Sequence, residues 1–127
     1  MSELNKIALE IIGKGKGILA ADESTATMTK RLESVNVQST PENRLLFRKT
    51  LFSSKNMTNC IGGVILYDET IKQLSSKKNR IPELIASMGS HPGIKVDAGA
   101  KVLAGSPEEK ITEGLDGLRE RLKEYYK

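Results

Sequence analysis

Two carboxylates and a hydroxyl follow the first short apolar run of the chain. Residues 18–21 are Ile-Leu-Ala-Ala, and Asp22, Glu23 and Ser24 come directly after them. A run of this length is typical of a strand in a parallel sheet that is covered on both faces. In folds of parallel strands, catalytic groups gather at the carboxyl ends of the strands. This position favours a functional role for Asp22.

Helix capping is the alternative interpretation of these residues. A carboxylate or hydroxyl just before a helix can satisfy free backbone N–H groups and interact favourably with the helix dipole. Asp68, Glu69 and Thr70 repeat the pattern after a second apolar run. We interpret Asp68 and Glu69 as capping residues. Asp22 is favoured as functional because it ends an apolar strand at the place where active sites form.

Hydroxyls and cations cluster around the helix that is predicted after the first strand. The sequence pattern places Ser24, Thr25, Thr27, Lys30 and Arg31 at the start of that helix. Free backbone N–H groups at a helix N-terminus, together with hydroxyls and cations, are suited to bind a phosphate. An ordinary capped amphipathic helix is the competing interpretation.

A single lysine interrupts the third apolar run. Lys95 stands between Ile94 and Val96 in a strand predicted over 93–97, so its side chain is expected to point opposite to its neighbours. In a closed parallel sheet that direction leads to the interior, where a lysine needs a partner or a wet anionic site. The alternative is a lysine at the end of a strand that reaches solvent. We favour a functional lysine.

Three other features predict local structure instead of chemistry. The glycine-rich segment 13–17 precedes its strand and lacks the Gly-Lys-Ser/Thr ending of a phosphate loop, so it is interpreted as a helix stop. His91 precedes a proline and is predicted to be a turn residue. Cys60 opens the second apolar run and is predicted to be a packed thiol. No spacing of metal ligands is present, so we predict no metal site.

The order of elements predicts an α/β fold. One helix is followed three times by a strand and a helix, and such alternation predicts parallel strands in the order 1-2-3 with right-handed crossovers. The predicted strands cover 18–22, 61–67 and 93–97, with a polar loop at 74–80 and a long loop after the third strand. The predicted helices cover 3–12, about 25–32, about 41–52 after a cap at Thr40, a segment opened by Pro82, and a segment from about Glu113.

Composition narrows the class of protein. The chain has 127 residues, of which 38% are hydrophobic and 28% charged, with a net charge of +4. No run approaches the roughly 20 apolar residues of a membrane helix, so no membrane segment is expected. The one cysteine and the absence of a signal-peptide pattern favour a reducing cytoplasm. The basic cluster 77–80 has no interleaved aromatic residues, so nucleic-acid binding is not expected.

Several segments, in order, resemble class I fructose-bisphosphate aldolases. The most specific is 15–24, Gly-Lys-Gly-Ile-Leu-Ala-Ala-Asp-Glu-Ser, which resembles the first barrel strand of that family. The resemblance covers nearly the whole chain. The other segments that carry it are 40–44, 60–70, 93–97 and 114–118.

The resemblance implies a fold and an activity. Members of the family are (β/α)₈ TIM barrels, usually homo-oligomeric, that cleave fructose bisphosphate into two triose phosphates through a lysine Schiff base, without a metal or other cofactor. By the same resemblance, Asp22 is the catalytic residue that assists proton transfer and carbon–carbon cleavage. The residues implied to bind the phosphates of the sugar are Ser24, Thr27, Lys30, Arg31 and Lys95.

The chain is too short to form a closed barrel of eight strands. A closed barrel needs eight strands and about 250 residues, whereas three strand–helix units are predicted here. We therefore expect residues 1–127 to be the N-terminal portion of a single barrel domain, with the Schiff-base lysine of the family beyond Lys127. The chain alone is expected to be inactive. The alternative function is that of an inactive module that binds phosphate or associates with other subunits.

Overall fold

The computed structural model describes residues 2–76 and 78–127, so Lys77 of the basic cluster lies outside the described residues. The chain divides into two compact units, Met1–Ile94 and Lys95–Lys127. The expectation of one barrel-type domain over 1–127 stays a prediction. The helices are α1 (Glu3–Ile12), α2 (Thr25–Glu33), α3 (Pro41–Phe52), α4 (Met57–Cys60), α5 (Asp68–Ile71), α6 (Ile81–Ser87) and α7 (Leu118–Tyr125). The strands are β1 (Gly17–Ala21), β2 (Ile61–Leu66), β3 (His91–Ile94), β4 (Gly99–Leu103) and β5 (Ser106–Glu113).

Three parallel strands form the sheet of the first unit, in the order β1-β2-β3. Ala21 of β1 is paired with Leu66 of β2, and Leu66 is paired with Ile94 of β3. The carboxyl ends of the three strands therefore lie side by side at one edge of the sheet. The predicted α/β fold, the parallel pairing and the strand order are confirmed.

Apolar side chains of the sheet and the helices form the core of this unit. Val64 and Leu66 of β2 are buried and share one face of the sheet, because they are two residues apart. Met28 of α2, Phe52 of α3 and Ile85 of α6 are also buried. This core holds the carboxyl ends of the strands in place, and the candidate site residues follow those strand ends.

Two predicted helices match the structure closely, because the sequence marks their ends. α1 covers Glu3–Ile12, and Ser2 caps it by accepting a hydrogen bond from the backbone N–H of Asn5. α3 covers Pro41–Phe52, with Thr40 as its cap and proline at its first turn. Proline suits that position, since it has no N–H to lose there and its φ is already helical.

Helix α1 approaches β2 so closely that one glycine is required. A Cβ atom built on Gly62 would overlap the main-chain carbonyl group of Ile11. At Gly63 a Cβ would lie 3.3 Å from the Ile11 side chain. The absence of a side chain at Gly62 therefore lets the backbone of α1 lie against the strand.

The second unit contains a hairpin that the sequence analysis did not predict. β4 and β5 pair antiparallel, with Gly105 at φ 82° in the turn between them. The long loop predicted there is wrong, as is a helix beginning near Glu113, because Glu113 ends β5. β-branched residues such as Ile111 and Thr112 favour this strand. The helix α7 begins at Leu118, after Gly117 in the left-handed region at φ 61°.

Three other local predictions are wrong. β3 ends at Ile94 instead of continuing to residue 97, because its partner β2 also ends, at Leu66. His91 is the first residue of β3, not a turn residue, and its Nε2 lies 2.8 Å from a carboxylate oxygen of Glu10. Cys60 is exposed at the end of α4, where the neighbouring Met57 fills the core instead.

Candidate functional site

Asp22 lies at the carboxyl end of β1, directly after the buried Ala21. The segment from Asp22 to Ser24 connects the strand to α2 and is half-buried. A segment in that position is held at one side by the sheet and at the other by the helix. The structure thus places Asp22 at the sheet edge, as expected from the sequence.

Ser24 and Thr27 lie together at the N-terminus of α2. The Ser24 hydroxyl accepts a hydrogen bond of 3.3 Å from the backbone N–H of Thr27, so Ser24 is the cap of this helix. The two hydroxyl oxygens are 3.1 Å apart. The capping interpretation is therefore correct for Ser24. The paired hydroxyls at a helix N-terminus also provide the donors and the positive dipole end that a phosphate requires.

Lys30 and Arg31 are not at the start of α2, which corrects the sequence prediction. They lie in the last turn of this 9-residue helix, and both are exposed. The prediction failed because a helical turn takes about 3.6 residues, so the sixth residue of the helix is already beyond its first turn. The Arg31 guanidinium nevertheless reaches back to the carboxylate of Glu23. That ion pair keeps Arg31 beside the Asp22–Ser24 segment, while Lys30 has no such tie among the contacts of the described residues.

Lys95 is the first residue after β3 and opens the second unit. It is not inside the strand, so the predicted alternation of its side chain with Ile94 and Val96 does not apply. Its ammonium group pairs with the carboxylate of Asp97, which also accepts a 2.9 Å hydrogen bond from the backbone N–H of Gly99. These hydrogen bonds, the one from Lys95 first, lower the pKa of Asp97. The expectation that Lys95 and Asp22 converge stays a prediction.

A buried arginine that the sequence analysis missed contacts the segment from Asp22 to Ser24, the candidate catalytic segment. Arg48 of α3 is only 1% exposed. One terminal nitrogen of its guanidinium donates a 2.5 Å hydrogen bond to the main-chain oxygen of Glu23 and lies 3.6 Å from the Glu23 carboxylate. The other donates a 2.7 Å hydrogen bond to the Thr70 hydroxyl, and the guanidinium lies 5.8 Å from the centre of the Tyr67 ring. Arg48 thus joins the residues that follow β1 to those that follow β2.

A second arginine of α3 holds the start of α5. Arg44 is 6% exposed and forms two hydrogen bonds with the Glu69 carboxylate. It also donates to the main-chain oxygen of Ser39 at 2.8 Å. Asp68 and Glu69 do lie in the first turn of α5, where the helix dipole favours carboxylates. The pairing of Glu69 with Arg44 goes beyond that capping interpretation.

The sequence did contain a sign of both arginines. Arg44, Arg48 and Phe52 are four residues apart, so they share one face of α3. Since Phe52 is the apolar member of this stripe, the face points to the core. Two guanidinium groups on a core-facing stripe must be paired with carboxylates or carbonyl oxygens, because an unpaired buried charge is costly.

Burial and pairing shift the pKa values in this network. Burial lowers the pKa of Arg48, and the nearby carboxylate of Glu23 opposes that shift. The hydrogen bond to Glu69 raises the pKa of Arg44, and the same hydrogen bond lowers the pKa of Glu69. Arg44 and Glu69 therefore stabilise each other in the charged state.

The sequence of this chain matches a known protein family over nearly its whole length. The family described as fructose-bisphosphate aldolase class-I matches residues 3–127. The chain belongs to this family. The resemblance found in the segments 15–24, 40–44, 60–70, 93–97 and 114–118 is thereby confirmed.

Individual aldolases agree with the family match. Fructose-bisphosphate aldolase A of Salmo salar is 50% identical over 126 residues, covering 98% of this chain and 35% of the relative. A probable class 1 aldolase of Xylella fastidiosa is 46% identical over 127 residues, covering 100% of this chain and 38% of the relative. The chain thus spans a little over a third of the length of these aldolases.

A solved aldolase structure has the same fold. It is the fructose-bisphosphate aldolase of Plasmodium falciparum, in a complex with TRAP and a small-molecule inhibitor. The TM-score is 0.90 at 44% sequence identity, covering 98% of this chain and 36% of that aldolase.

No helix of the described residues in our structure is long and apolar enough to cross a membrane.

Proposed function

We propose that the protein carrying this chain is a class I aldolase that cleaves fructose 1,6-bisphosphate reversibly into dihydroxyacetone phosphate and glyceraldehyde 3-phosphate. The reaction would proceed through a Schiff base on a lysine, without a metal or other cofactor. The observation that carries the proposal is the family match over residues 3–127. The position of Asp22 at the carboxyl end of β1 supports it.

Asp22 would be the catalytic carboxylate. Cleavage of the carbon–carbon bond requires that a proton leave one hydroxyl of the bound sugar and that another reach the product carbon. A positioned carboxylate can carry such a proton. Asp22 has the short reach and the fixed backbone that this role needs, because it follows the buried Ala21 at the end of β1 without an intervening loop.

The hydroxyls of Ser24 and Thr27 would contact one phosphate of the substrate. They lie 3.1 Å apart at the N-terminus of α2. Arg31 would add a cation. Its ion pair with Glu23 would keep the guanidinium near Ser24, so that it could contact the same phosphate. Lys30 would contribute charge from the same helix. Lys95 would bind phosphate after exchanging its Asp97 partner for the more highly charged ligand.

The natural partners and compartment follow from the same proposal. The substrate would be a phosphorylated sugar, and the net charge of +4 suits an anionic substrate. The protein would form homo-oligomers in the cytoplasm. Neither nucleic acid nor membrane is proposed as a partner.

Cleavage and trapping assays on the natural protein that contains this sequence test the proposal. Cleavage of fructose 1,6-bisphosphate is followed with a coupled assay for triose phosphate. Borohydride with dihydroxyacetone phosphate should leave a stable adduct, located by peptide mass mapping, if a Schiff base forms. Cleavage without any adduct would contradict the Schiff-base chemistry, and absence of both would contradict the function.

An inactive module is the second candidate. The hydroxyls of Ser24 and Thr27, 3.1 Å apart at the N-terminus of α2, favour considering it, because they suit phosphate binding whether or not cleavage follows. Such a module would bind phosphate at Ser24 and Thr27 or associate with other subunits, but would not cleave the sugar. Binding of fructose 1,6-bisphosphate to the protein without cleavage would support this second candidate.

A further inference from the structure

A buried cation reaches the backbone of the candidate catalytic segment. Arg48 donates 2.5 Å from one terminal nitrogen to the main-chain oxygen of Glu23, the residue between Asp22 and Ser24. We propose that Arg48 is a positioning residue, which holds the Asp22–Ser24 segment in the geometry required for carbon–carbon cleavage. This inference rests on the proposed aldolase function.

The hydrogen bond from Arg48 to the Glu23 carbonyl lies where it can fix the backbone of the Asp22–Ser24 segment. The Glu23 carbonyl belongs to the peptide that joins Glu23 to Ser24, and Asp22 is one residue before it. Fixing the plane of that peptide restricts the backbone torsions on both sides. One hydrogen bond therefore orients a candidate proton-transfer group and a candidate phosphate-binding group together.

The other terminal nitrogen of the guanidinium ties the segment to α5, the helix that follows the neighbouring strand β2. Arg48 donates 2.7 Å to the hydroxyl of Thr70, which is fully buried after β2. The planar guanidinium fixes the angle between its two nitrogens, so the Glu23 carbonyl and the Thr70 hydroxyl are held at a set separation. Lysine, with one ammonium group, lacks this planar fork.

Stabilising the fold does not by itself explain why an arginine occupies this buried position. Taking a guanidinium out of water is costly, and apolar residues of similar volume often stabilise a core as well or better. The Glu23 carboxylate is 3.6 Å away, and the described residues offer no hydrogen-bond acceptor to the Nε of Arg48. The shortest hydrogen bond of this cation is thus with a main-chain carbonyl at the candidate site.

Arg44 provides a matched control. It lies one helical turn earlier on the same face of α3 and is similarly buried, at 6% against 1% for Arg48. Its hydrogen bonds go to Glu69 and Ser39, not to Asp22, Glu23 or Ser24. Removing either arginine deletes a buried cation of α3, but only Arg48 contacts the candidate segment.

The variants R48M and R44M in the natural protein test the proposal at equal folded fractions. A misplacement of about 1 Å can cost about 10²-fold in rate. We expect kcat/KM for fructose 1,6-bisphosphate to fall about 10- to 100-fold in R48M and to stay within about threefold in R44M. The double variant D22N/R48M should lose less than the product of the two single losses, because Arg48 would act through the segment that carries Asp22.

Amide hydrogen exchange gives a readout that does not depend on activity. Exchange over residues 22–28 should rise in R48M and remain unchanged in R44M. Equal losses of activity in the two variants, or unchanged exchange over 22–28 in R48M, would overturn the proposal. If either methionine variant is insoluble, the pair R48K and R44K replaces it with the same expected difference.

The same measurements separate this inference from the proposed function. A natural protein that does not cleave the sugar contradicts the function. In that case, a selective rise of exchange over 22–28 in R48M still supports the positioning of this segment by Arg48, and an unchanged exchange refutes it.

Discussion

The carboxylate of Glu69 accepts two hydrogen bonds from the guanidinium of Arg44, one of 2.9 Å at Oε2 and one of 2.5 Å at Oε1. This pair joins α3 to the residues that follow β2. The Arg44 side chain is 8% exposed and that of Glu69 25% exposed, so water screens the pair only in part. A two-point pair of this kind fixes geometry as well as charge.

The Arg44–Glu69 pair predicts a pH dependence of stability. The hydrogen bond from Arg44 lowers the pKa of Glu69 in the folded state. Its contribution is therefore fully present above the unfolded pKa of about 4.3 and is lost as the pH falls through the folded pKa. We expect E69Q to reduce the free energy of unfolding by about 1.5–3 kcal/mol at pH 7, from urea denaturation.

The difference between E69Q and the parent should shrink as the pH falls from the unfolded pKa of about 4.3 through the lower folded pKa of Glu69, because the parent carboxylate is then protonated. E33Q is the control, since Glu33 is an exposed carboxylate at the end of α2. A difference between E69Q and the parent that stays constant down to pH 2 would contradict this account.

Gly62 predicts a steric effect at the contact between α1 and β2. A Cβ there would overlap the main-chain carbonyl of Ile11, so α1 must shift in G62A. Overpacking of this kind typically costs about 1–3 kcal/mol. We expect G62A to unfold at lower urea and to expose α1 to proteolysis. G13A is the control, because a Cβ at Gly13 meets no atom within 4 Å. Equal unfolding midpoints for the two variants would refute the contact.

The regular parts of the fold were predictable because their local patterns agree with their tertiary surroundings. Thr40 marks a helix start that the structure retains, and Gly13 of the predicted helix stop follows the end of α1. The apolar runs at β1 and β2 were predictable as strands because short apolar runs are typical of parallel strands. The order of strands followed from the tendency of consecutive strands in a strand–helix alternation to lie side by side.

The remaining parts depend on pairing that local patterns do not encode. β3 stops at Ile94 because β2 stops at Leu66, so Lys95 leaves the strand. The contact of Arg31 with Glu23 spans eight positions, and that of Arg48 with Glu23 spans 25. Only the stripe of Arg44, Arg48 and Phe52 pointed towards a buried ionic network.

Ser24 allows helix capping and phosphate binding to be separated. Aspartate caps helices as well as serine does, so S24D should keep the free energy of unfolding within about 0.5 kcal/mol of the parent. Its carboxylate would repel a phosphate bound at this helix end. We expect KM for fructose 1,6-bisphosphate to rise about tenfold or more in the natural protein.

Two controls accompany S24D. S24A removes the cap without adding charge and should lower stability by about 1 kcal/mol. T40D changes the cap of α3, outside the candidate site, and should leave KM unchanged. An S24D variant with the KM of the parent would remove Ser24 from the phosphate site.

Asp22 predicts a loss of turnover that is larger than any loss of binding. Asparagine keeps the size of the side chain but cannot accept and return a proton. A proton-transfer group typically contributes about 10²–10⁴-fold, so kcat of D22N in the natural protein should fall in that range while KM changes less. Substrate-saturation kinetics at several pH values measure both constants.

Asp68 is the matched control for Asp22. It too follows the end of a strand, but it is paired with Lys72 at 2.9 Å on the surface, with 49% of its side chain exposed. Surface pairs contribute at most about 1 kcal/mol, so D68N should retain the parent kinetics. Equal kcat in D22N and the parent would remove Asp22 from the mechanism.

The exposure of the lysines predicts whether borohydride traps a Schiff base on the 127-residue chain expressed alone. A Schiff-base lysine must be unprotonated beside the carbonyl, a state that desolvation favours. No lysine among residues 2–76 and 78–127 is buried, and the half-buried Lys95 pairs with Asp97, which stabilises its ammonium form. We therefore expect neither cleavage nor a borohydride-trapped adduct with dihydroxyacetone phosphate, as measured by intact mass. The natural protein treated identically is the positive control. A covalent adduct mapped to any lysine of the isolated chain would show that these residues carry their own nucleophile.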